Sequence, residues 1–271
     1  MEGVEARASA PASFPELMTH PLLDLEGHPV VGHRGNAAHA PENTMESFRQ
    51  AVALGVDAIE LDVHLSGDNH VVVIHDPTLD RTTDGSGRVE RLPLSEIRRA
   101  DAGARFTRDG GATWPYRGQG ITVPTLDEVL AAFPDTPLLV EIKTAQASEG
   151  TREVIERHDA SSRCIVASFD WRATEPFRGA GIRRGSSRRD TARLFWRALF
   201  RLPPATVDFD VMCMPRRHRG LPLPVAGYAA ILAPLGVPVH VWTVDDPAEA
   251  GVLRQQGVRG IISNDPEGML T

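Results

Sequence analysis

Short apolar runs alternate with amphipathic stretches along most of the chain. The runs are rich in Val and Ile and predict buried strands, whereas the stretches between them show a helical period. The eight predicted strands are Pro29–His33, Ala58–Val63, Leu138–Ile142, Arg163–Ser168, Ile182–Gly185, Val207–Met212, Val237–Trp242 and Gly260–Ser263. The predicted helices include Thr44–Leu54, Leu126–Phe133, Ala192–Arg201, Val225–Leu235 and Pro247–Gln256. Strands that alternate with helices in this way predict a parallel sheet.

Eight strands with intervening helices predict a closed (β/α)₈ barrel, the TIM barrel, in the α/β class. The length of 271 residues agrees with one such barrel. An open doubly wound sheet is the alternative architecture. Residues 1–28 are polar and broken by prolines, which predicts an N-terminal extension whose first ~12 residues are disordered. Residues 29–271 then form the barrel domain.

One apolar run, Val71–Ile74, does not fit the alternation. It follows Val63 too closely for a crossover helix, and Gly67, Asp68 and Asn69 between the two runs favour a turn. We therefore expect a hairpin at the barrel mouth. A turn centred between Asp68 and Asn69 would pair Asp62 with His75 and place both side chains on one face. Residues 76–124 follow as an insertion, which we expect to cap the mouth, with Phe106, Trp114 and Tyr116 packed inside it.

Composition excludes several classes of protein. A net charge of −7 argues against a general nucleic-acid binder. The two cysteines, Cys164 and Cys213, form no CxxC pair, so a thiolate zinc site is excluded and a disulfide framework is unexpected. No apolar run has the length of a signal peptide or a bilayer span. The predicted location is therefore the cytoplasm.

The charge is unevenly distributed. Eight arginines and a single acidic residue lie between Arg178 and Arg201. Arg189, Arg193, Arg197 and Arg201 are spaced four apart, so on a helix they form one stripe. The stripe is either the solvated outside of a barrel helix or a contact with an anionic membrane surface.

Three acidic residues lie within apolar strands. Glu60 and Asp62 are two apart on one strand and therefore share a face, and Glu141 lies near the end of another strand. Carboxylates that face inward repel one another unless a cation joins them. Three such oxygen ligands favour one divalent cation, Mg²⁺ or Ca²⁺. Ion pairs on the surface are the alternative role, although an apolar strand is an unfavourable place for them.

Histidines and cationic residues lie at strand ends that would meet at the same barrel mouth. His33 and His75 would form an acid–base pair near neutral pH, although each alone is as consistent with a packed or capping residue. Arg34 and Lys143 would bind phosphate oxygens. Trp242 either lines the pocket and contacts substrate or packs in the core. Together these residues suit a negatively charged phosphodiester better than a peptide or a neutral sugar.

The motifs that carry this chemistry occur in a fixed order. They are His33-Arg34-Gly35, Pro41-Glu42-Asn43-Thr44, Glu60-Leu61-Asp62-Val63, His75-Asp76, Pro124-Thr125-Leu126, Glu141-Ile142-Lys143, Ser168-Phe169 and Val241-Trp242-Thr243-Val244. Over residues 29–266 the chain resembles the glycerophosphodiester phosphodiesterase family. The resemblance implies a barrel with a cap. It also implies the following roles: His33 and His75 as the acid–base pair, Glu60, Asp62 and Glu141 as metal ligands, and Arg34 and Lys143 on phosphate.

The chain departs from the family at two places. Gly67-Asp68-Asn69-His70 replaces the usual basic-Asp-Gly turn, and Arg259 and Asn264 stand where members often have Asp. None of these is a catalytic position.

The resemblance implies metal-dependent hydrolysis of glycerophosphodiesters to an alcohol and sn-glycerol 3-phosphate, in glycerophospholipid breakdown. A lysophospholipase D-like activity on the same site is the alternative enzyme, and it would need an apolar funnel whose width the sequence does not reveal. A non-catalytic barrel that acts as a binding module is the other alternative. Phosphatidylinositol-type phospholipases also place two histidines on a barrel, but they do not need this carboxylate set.

Overall fold

The computed structural model describes residues 20–270. The strands are β1 (Val30–His33), β2 (Ala58–Leu65), β3 (Val71–Val73), β4 (Leu138–Ile142), β5 (Cys164–Ala167), β6 (Arg183–Arg184), β7 (Met212–Pro215), β8 (Arg217–His218), β9 (Leu221–Pro222), β10 (Val239–Trp242) and β11 (Gly260–Ser263). The helices are α1 (Met45–Leu54), α2 (Leu94–Ile97), α3 (Leu126–Ala132), α4 (Ser148–Arg157), α5 (Trp171–Thr174), α6 (Arg188–Phe200), α7 (Val225–Leu232) and α8 (Pro247–Gln255). Short 3₁₀ helices cover Pro21–Leu23, Val89–Arg91, Ala145–Ala147, Glu175–Phe177, Ala233–Leu235 and Pro266–Met269.

Eight parallel strands form one sheet in the order β6, β5, β4, β2, β1, β11, β10, β7. The two edges of this sheet meet. Gly185, directly after β6, pairs in parallel with Val211, directly before β7. The Ser186 N–H also donates to the Val211 carbonyl at 2.9 Å. The sheet is therefore closed, which confirms the predicted (β/α)₈ barrel and excludes the open doubly wound sheet.

One strand prediction was wrong in its position. The sequence predicts a strand over Val207–Met212, but the pairing with β10 starts at Met212 and runs to Pro215. Apolar residues at every second position of 207–211 imitate a strand. Arg184 binds the two acidic residues between them. Asp210 accepts from the Arg184 backbone N–H at 2.8 Å, and Asp208 accepts from the Arg184 guanidinium at 2.9 Å. These bonds hold the segment as a loop that leads into β7.

The hairpin is present, but its predicted register was wrong. β2 and β3 pair antiparallel with Val63 opposite Val73, and the Ile74 N–H donates to the Asp62 carbonyl at 3.0 Å. Ile74, and not His75, therefore lies opposite Asp62. The turn has three residues between Ser66 and His70, with Asn69 at a φ of 66°. This three-residue turn is centred on Asp68 rather than between Asp68 and Asn69, so the register shifts by one residue.

Side-chain caps fix where two of the helices begin. Thr125 and Glu128 form a capping box at α3. Ser187 and Asp190 form a second one, so α6 begins at Arg188 rather than at Ala192. The α3 N-cap, Thr125, directly follows the 76–124 insertion, and the α6 N-cap, Ser187, lies three residues after β6.

Residues 76–124 form an ordered cap with a small core of its own. Leu79, Val89 and Ile97 are buried against Val72 and Ile74 of the hairpin. Inside the cap Phe106 packs edge-on against Tyr116 with ring centroids 5.3 Å apart, as predicted. Trp114, in contrast, is 38% exposed and lies under the Arg117 guanidinium. The Tyr116 hydroxyl donates to the His39 carbonyl at 3.1 Å and so ties the cap to the barrel.

The first described residues close the floor of the barrel, opposite the mouth. Leu22 is fully buried among strand residues that include Val31, Leu139 and Ile262. Its carbonyl accepts from Nε2 of the fully buried His240 at 2.8 Å, while Nδ1 of His240 accepts from the Gly260 N–H at 2.7 Å. Hydrogen bonds of this kind satisfy polar groups that have no access to water.

Two further predictions concern location and the N-terminus. Within residues 20–270, no helix has both the length and the apolar character that a bilayer crossing requires. The cytoplasmic location stays a prediction. The predicted disorder of the first ~12 residues lies outside the described part of the chain.

Candidate active site

The three predicted metal ligands meet on two neighbouring strands at the barrel mouth. Glu60 and Asp62 lie on β2, and the register pairs Asp62 with Glu141 on β4. Glu60 is 5% exposed and Asp62 is 1% exposed. Each residue offers one oxygen, and the three oxygens lie within 4.8 Å of one another. The spacing of two on a strand therefore brings the acids together as the sequence predicts.

Burial makes this cluster electrostatically costly. It raises the pKa of Glu60 well above its ordinary value, and the charges of Asp62 and Glu141 add to the effect. Burial also raises the pKa of Glu141. The three carboxylates are the hard oxygen donors that Mg²⁺ and Ca²⁺ prefer, and a divalent cation would offset their repulsion. The residues present thus fit a divalent cation.

Two cations from the protein already contact the carboxylates. Lys143 Nζ donates to Glu141 Oε1 at 2.6 Å and to Asp62 Oδ1 at 3.2 Å. Arg34 Nε lies 3.1 Å from Asp62 Oδ2 in an ion pair, and the Arg34 backbone N–H donates to Glu60. Burial disfavours ionised Asp62, but Lys143 and Arg34 overcome this and lower its pKa. Arg34 and Lys143 therefore lie at the site and hold the acids in place.

His33 ends β1 directly beside Glu60, with Nε2 3.9 Å from Glu60 Oε2. Its Nδ1 lies 2.7 Å from Asn264 Oδ1, and the Asn264 amide nitrogen donates to Asp245 at 2.9 Å. The oxygen of Asn264 is thus turned toward the ring, so Nδ1 carries the proton and Nε2 is left as an acceptor. Burial lowers the pKa of His33, and the nearby Arg34 charge lowers it further.

His75 reaches the mouth although it is not the cross-strand partner of Asp62. It follows β3 and lines the same cavity as His33, Glu60 and Glu141. Its Nδ1 lies 2.6 Å from Asp76 Oδ1, so the carboxylate orients the ring. Asp76 is held in turn by Arg81 of the cap through Nε at 2.7 Å.

Sequence reasoning missed several residues that position these groups. Glu42 joins Arg34 to Arg81 through hydrogen bonds of 2.7–2.8 Å. The Asn43 side chain donates to Asp62 Oδ2 at 2.8 Å and also accepts from the Asp62 backbone N–H. Asn43 has a φ of 57°. Its place in the Pro41-Glu42-Asn43-Thr44 motif was a signal of importance, but the motif alone did not reveal the contact.

A cavity of about 1000 Å³ opens at this mouth. Its polar end contains His33, Arg34, Glu60, His75, Glu141 and Lys143. Trp242, at the end of β10, is half-buried and packs edge-on against Phe169 with ring centroids 5.8 Å apart. The Trp242 ring therefore lines the cavity and also packs against Phe169, whereas its contact with substrate stays a prediction.

Comparison with known proteins identifies related chains. The model of the Glycerophosphoryl diester phosphodiesterase family matches residues 33–180. A glycerophosphodiester phosphodiesterase from Caldanaerobacter subterraneus is 32% identical over 254 residues, which cover 89% of this chain and 96% of that one. A probable glycerophosphodiester phosphodiesterase 2 from Mycobacterium tuberculosis is 32% identical over 246 residues, 88% of each chain.

Solved structures share the fold. The glycerophosphoryl diester phosphodiesterase domain of an uncharacterized Mycobacterium tuberculosis protein superposes with a TM-score of 0.78 at 23% identity, covering 89% of this chain and 97% of that one. A phosphodiesterase from Oleispira antarctica, solved in complex with the product sn-glycerol-3-phosphate, has a TM-score of 0.70 at 26% identity, covering 89% and 95%. These likenesses extend over nearly the whole described barrel.

Proposed function

The chain belongs to the Glycerophosphoryl diester phosphodiesterase family and is an enzyme of that kind, and from this premise we propose its reaction. It hydrolyses glycerophosphodiesters to an alcohol and sn-glycerol 3-phosphate, in glycerophospholipid breakdown, with one bound Mg²⁺ or Ca²⁺. The product found in the Oleispira antarctica structure supports this choice of substrate. Membership in an enzyme family argues against the non-catalytic binding module.

One observation carries the proposal: two histidines and two cations surround three carboxylates, two buried and one half-buried, at a single barrel mouth. Positive groups at such a site bind an anionic phosphodiester, and imidazoles exchange protons near neutral pH. Glu60, Asp62 and Glu141 would hold the divalent cation. When bound, this cation supplies positive charge that neutralises the carboxylates and the phosphate oxygens.

The protein's own groups suggest how the proton transfers run. A glycerophosphodiester carries a hydroxyl on the carbon next to the phosphate-bearing one, and its attack on phosphorus has the advantage of an intramolecular reaction. His33 Nε2, left free by the Asn264 contact, accepts the proton of this hydroxyl. His75, oriented by Asp76, donates a proton to the leaving alcohol. Arg34 and Lys143 stabilise the anionic transition state.

The first step forms the bond between the hydroxyl oxygen and phosphorus and breaks the bond to the leaving alcohol. It yields a cyclic glycerol phosphate. Water then opens this ring with the two histidines in exchanged roles, which restores both protonation states. Direct attack by water on the diester is the competing route, and it requires no neighbouring hydroxyl.

A substrate analogue without the glycerol 2-hydroxyl distinguishes the two routes. We expect it to bind as a competitive inhibitor and to turn over at least ~100-fold more slowly, the low end of the intramolecular advantage. Single-turnover reactions followed by phosphorus NMR should show the cyclic ester transiently. Turnover of the deoxy analogue at the normal rate would instead support direct attack by water.

We also propose that α6 contacts an anionic membrane surface. The predicted stripe has four arginines, and all of them are exposed: Arg189, Arg193 and Arg197 on the helix and Arg201 at its C-terminal cap. Large apolar side chains are exposed beside them: Trp196 is 65% exposed and Phe200 64%, and their rings stack 6.2 Å apart. Basic and aromatic side chains on one helix match the charge and the apolar boundary of an anionic bilayer.

Sedimentation with vesicles rich in phosphatidylglycerol tests this contact. We expect binding that weakens at high salt and is absent with neutral vesicles. The double variant Arg193→Gln/Arg197→Gln should reduce binding several-fold, since a basic residue near the surface contributes about 1 kcal/mol. Phe200→Gln should also reduce it several-fold, because it removes apolar area that the bilayer would bury. Binding that responds neither to salt nor to these changes would contradict the proposal.

A further inference from the structure

The cavity continues from the polar mouth into a region that we call the apolar arm. Its apolar lining consists of six side chains, those of Phe169, Phe195, Trp196, Leu221, Leu223 and Trp242, while Arg217, His218 and Arg219 of the β8–β9 ribbon line the same cavity. It lies between α6 and the β8–β9 ribbon, on the side of the mouth away from β2. None of these six side chains has a role in the proton transfers proposed above.

The arm changes in character from the phosphate end to the surface. At its inner end Phe169 lies under two cations, with Arg188 4.3 Å and Lys143 Nζ 5.9 Å from the ring centroid. Farther out Phe195 and Leu223 are half-buried. At the open end Leu221 is 71% exposed. An apolar path thus runs from the phosphate site to the surface beside α6.

An apolar path of this kind is poorly matched to a small polar substrate. A polar head group would leave the aromatic and leucine side chains in contact with water, whereas an alkyl chain would cover them. The cavity, at about 1000 Å³, is at the upper end of the range for small-molecule pockets. Each methylene moved from water into such a site strengthens binding by up to about fourfold.

We infer that the preferred substrates are glycerophosphodiesters that carry a single long alkyl chain, as lysophospholipids do. This inference rests on the proposed function. The alkyl chain occupies the apolar arm while the phosphate lies beside Arg34 and Lys143. The substrate must keep its 2-hydroxyl, so a diacyl phospholipid does not react. The reaction is the one proposed above: the 2-hydroxyl oxygen bonds to phosphorus and the bond to the leaving alcohol breaks. The alkyl chain remains on the half of the substrate that carries it.

The first test uses substrates that are monomeric in water, so no membrane is involved. The kcat/KM for 1-butanoyl, 1-hexanoyl and 1-octanoyl glycerophosphocholine is compared with that for glycerophosphocholine, with products identified by mass spectrometry. We expect kcat/KM to rise at least tenfold from butanoyl to octanoyl, chiefly through KM. A parallel series with the chain on the leaving alcohol, such as glycerophospho-octanol, determines which half of the substrate occupies the arm.

Two matched variants on α6 locate the effect. Phe195→Gln changes a half-buried residue of the arm, and Phe200→Gln makes the same change at an exposed residue outside the cavity. We expect Phe195→Gln to remove most of the chain-length gain. Phe200→Gln should keep this gain and weaken only vesicle binding.

The outcomes separate this inference from the proposed function. If glycerophosphocholine is hydrolysed but neither chain series raises kcat/KM, the inference is overturned and the proposed function stands. If wild type shows the gain but Phe195→Gln and Leu223→Gln both retain it, the arm is not where the chain binds. If no glycerophosphodiester is hydrolysed in the presence of Mg²⁺ or Ca²⁺, the proposed function fails and the inference fails with it.

Discussion

At the scale of single residues, Glu60 accounts for much of the electrostatic cost of the site. Its carboxyl group is buried, and burial raises its pKa. We expect Glu60→Gln to abolish activity and weaken binding of Mg²⁺ or Ca²⁺ by at least tenfold in calorimetric titration. Without divalent cations the variant should unfold at the same or a higher temperature, because an unfavourable buried charge is removed.

Removal of the divalent cation by a chelator tests the same assignment in the wild-type protein. Excess chelator should abolish wild-type activity, and added Mg²⁺ or Ca²⁺ should restore it. Glu96→Gln, at an exposed position in the cap, serves as the control and should behave like wild type. Full activity in excess chelator would contradict the assignment of the carboxylates as metal ligands.

The two histidines give a second prediction. His33→Ala and His75→Ala should each lower kcat by roughly 10²–10⁴, the usual contribution of a positioned acid or base. The double variant should lose far less than the product of the two single losses, since the pair acts as a unit. His70→Ala, in the exposed hairpin turn, is the control. A single variant within threefold of wild type would show that its histidine has been misassigned.

The residues that meet at the mouth were largely predictable, while their partners were not. Glu60 and Asp62 share a face because side chains alternate along a strand, and this holds in any barrel. The contact between Asn264 and His33 depends on how β11 ends, which no local pattern encodes. The same is true of Glu42, which bridges two arginines from distant parts of the chain.

At the scale of elements, the cap is joined to the catalytic machinery through Arg81. This arginine binds Asp76, which orients His75, and Glu42, which holds Arg34. We expect Arg81→Ala to lower kcat about tenfold with little change in KM, because the ring of His75 loses its fixed orientation. Arg81→Lys should recover part of the activity.

Steady-state kinetics and a thermal unfolding curve test this prediction together. Arg88→Ala breaks a different ion pair in the cap, that with Glu90, and should leave kcat unchanged. Equal losses in the two variants would point to a general loosening of the cap rather than to positioning of His75.

The hairpin and α6 mark where prediction of elements from sequence ends. The hairpin itself follows from the short spacing between apolar runs, but its register depends on where the turn is centred, and the sequence does not determine this. For α6 the arginine stripe was predicted, but the exposure of Trp196 and Phe200 was not. An apolar residue on an amphipathic helix is expected to face the core, and only the packed structure shows that these two do not.

At the scale of the whole molecule, barrel closure follows from the alternation of strands and helices. The floor does not, because it is formed by a short segment without periodicity. His240 there is fully buried and His20 largely buried, and desolvation lowers the pKa of each from 6.5 to about 4. The unfolded chain therefore binds more protons than the folded one between these two values.

Stability should consequently fall as the pH drops from about 7 to about 4, by roughly 3 kcal/mol at most for each imidazole. Above pH 7 these groups contribute no pH dependence. Denaturant unfolding at a series of pH values measures the effect. His240→Gln should be less stable at neutral pH and show a shallower loss in acid. An equal slope in the variant and wild type would mean that other groups control acid unfolding.

Because the floor is closed, both products leave by one exit, and the order of their release follows from how tightly each is held. Leu22 fills the end of the barrel opposite the mouth, so within the described residues substrate and both products pass through the same opening. The phosphate monoester is more negative than the diester, so under the proposed function we expect Arg34 and Lys143, which line the cavity, to retain it, whereas the alcohol has no phosphate. Release should therefore be ordered, with the alcohol first. In product-inhibition kinetics the phosphate monoester should compete with substrate, and the alcohol should inhibit noncompetitively.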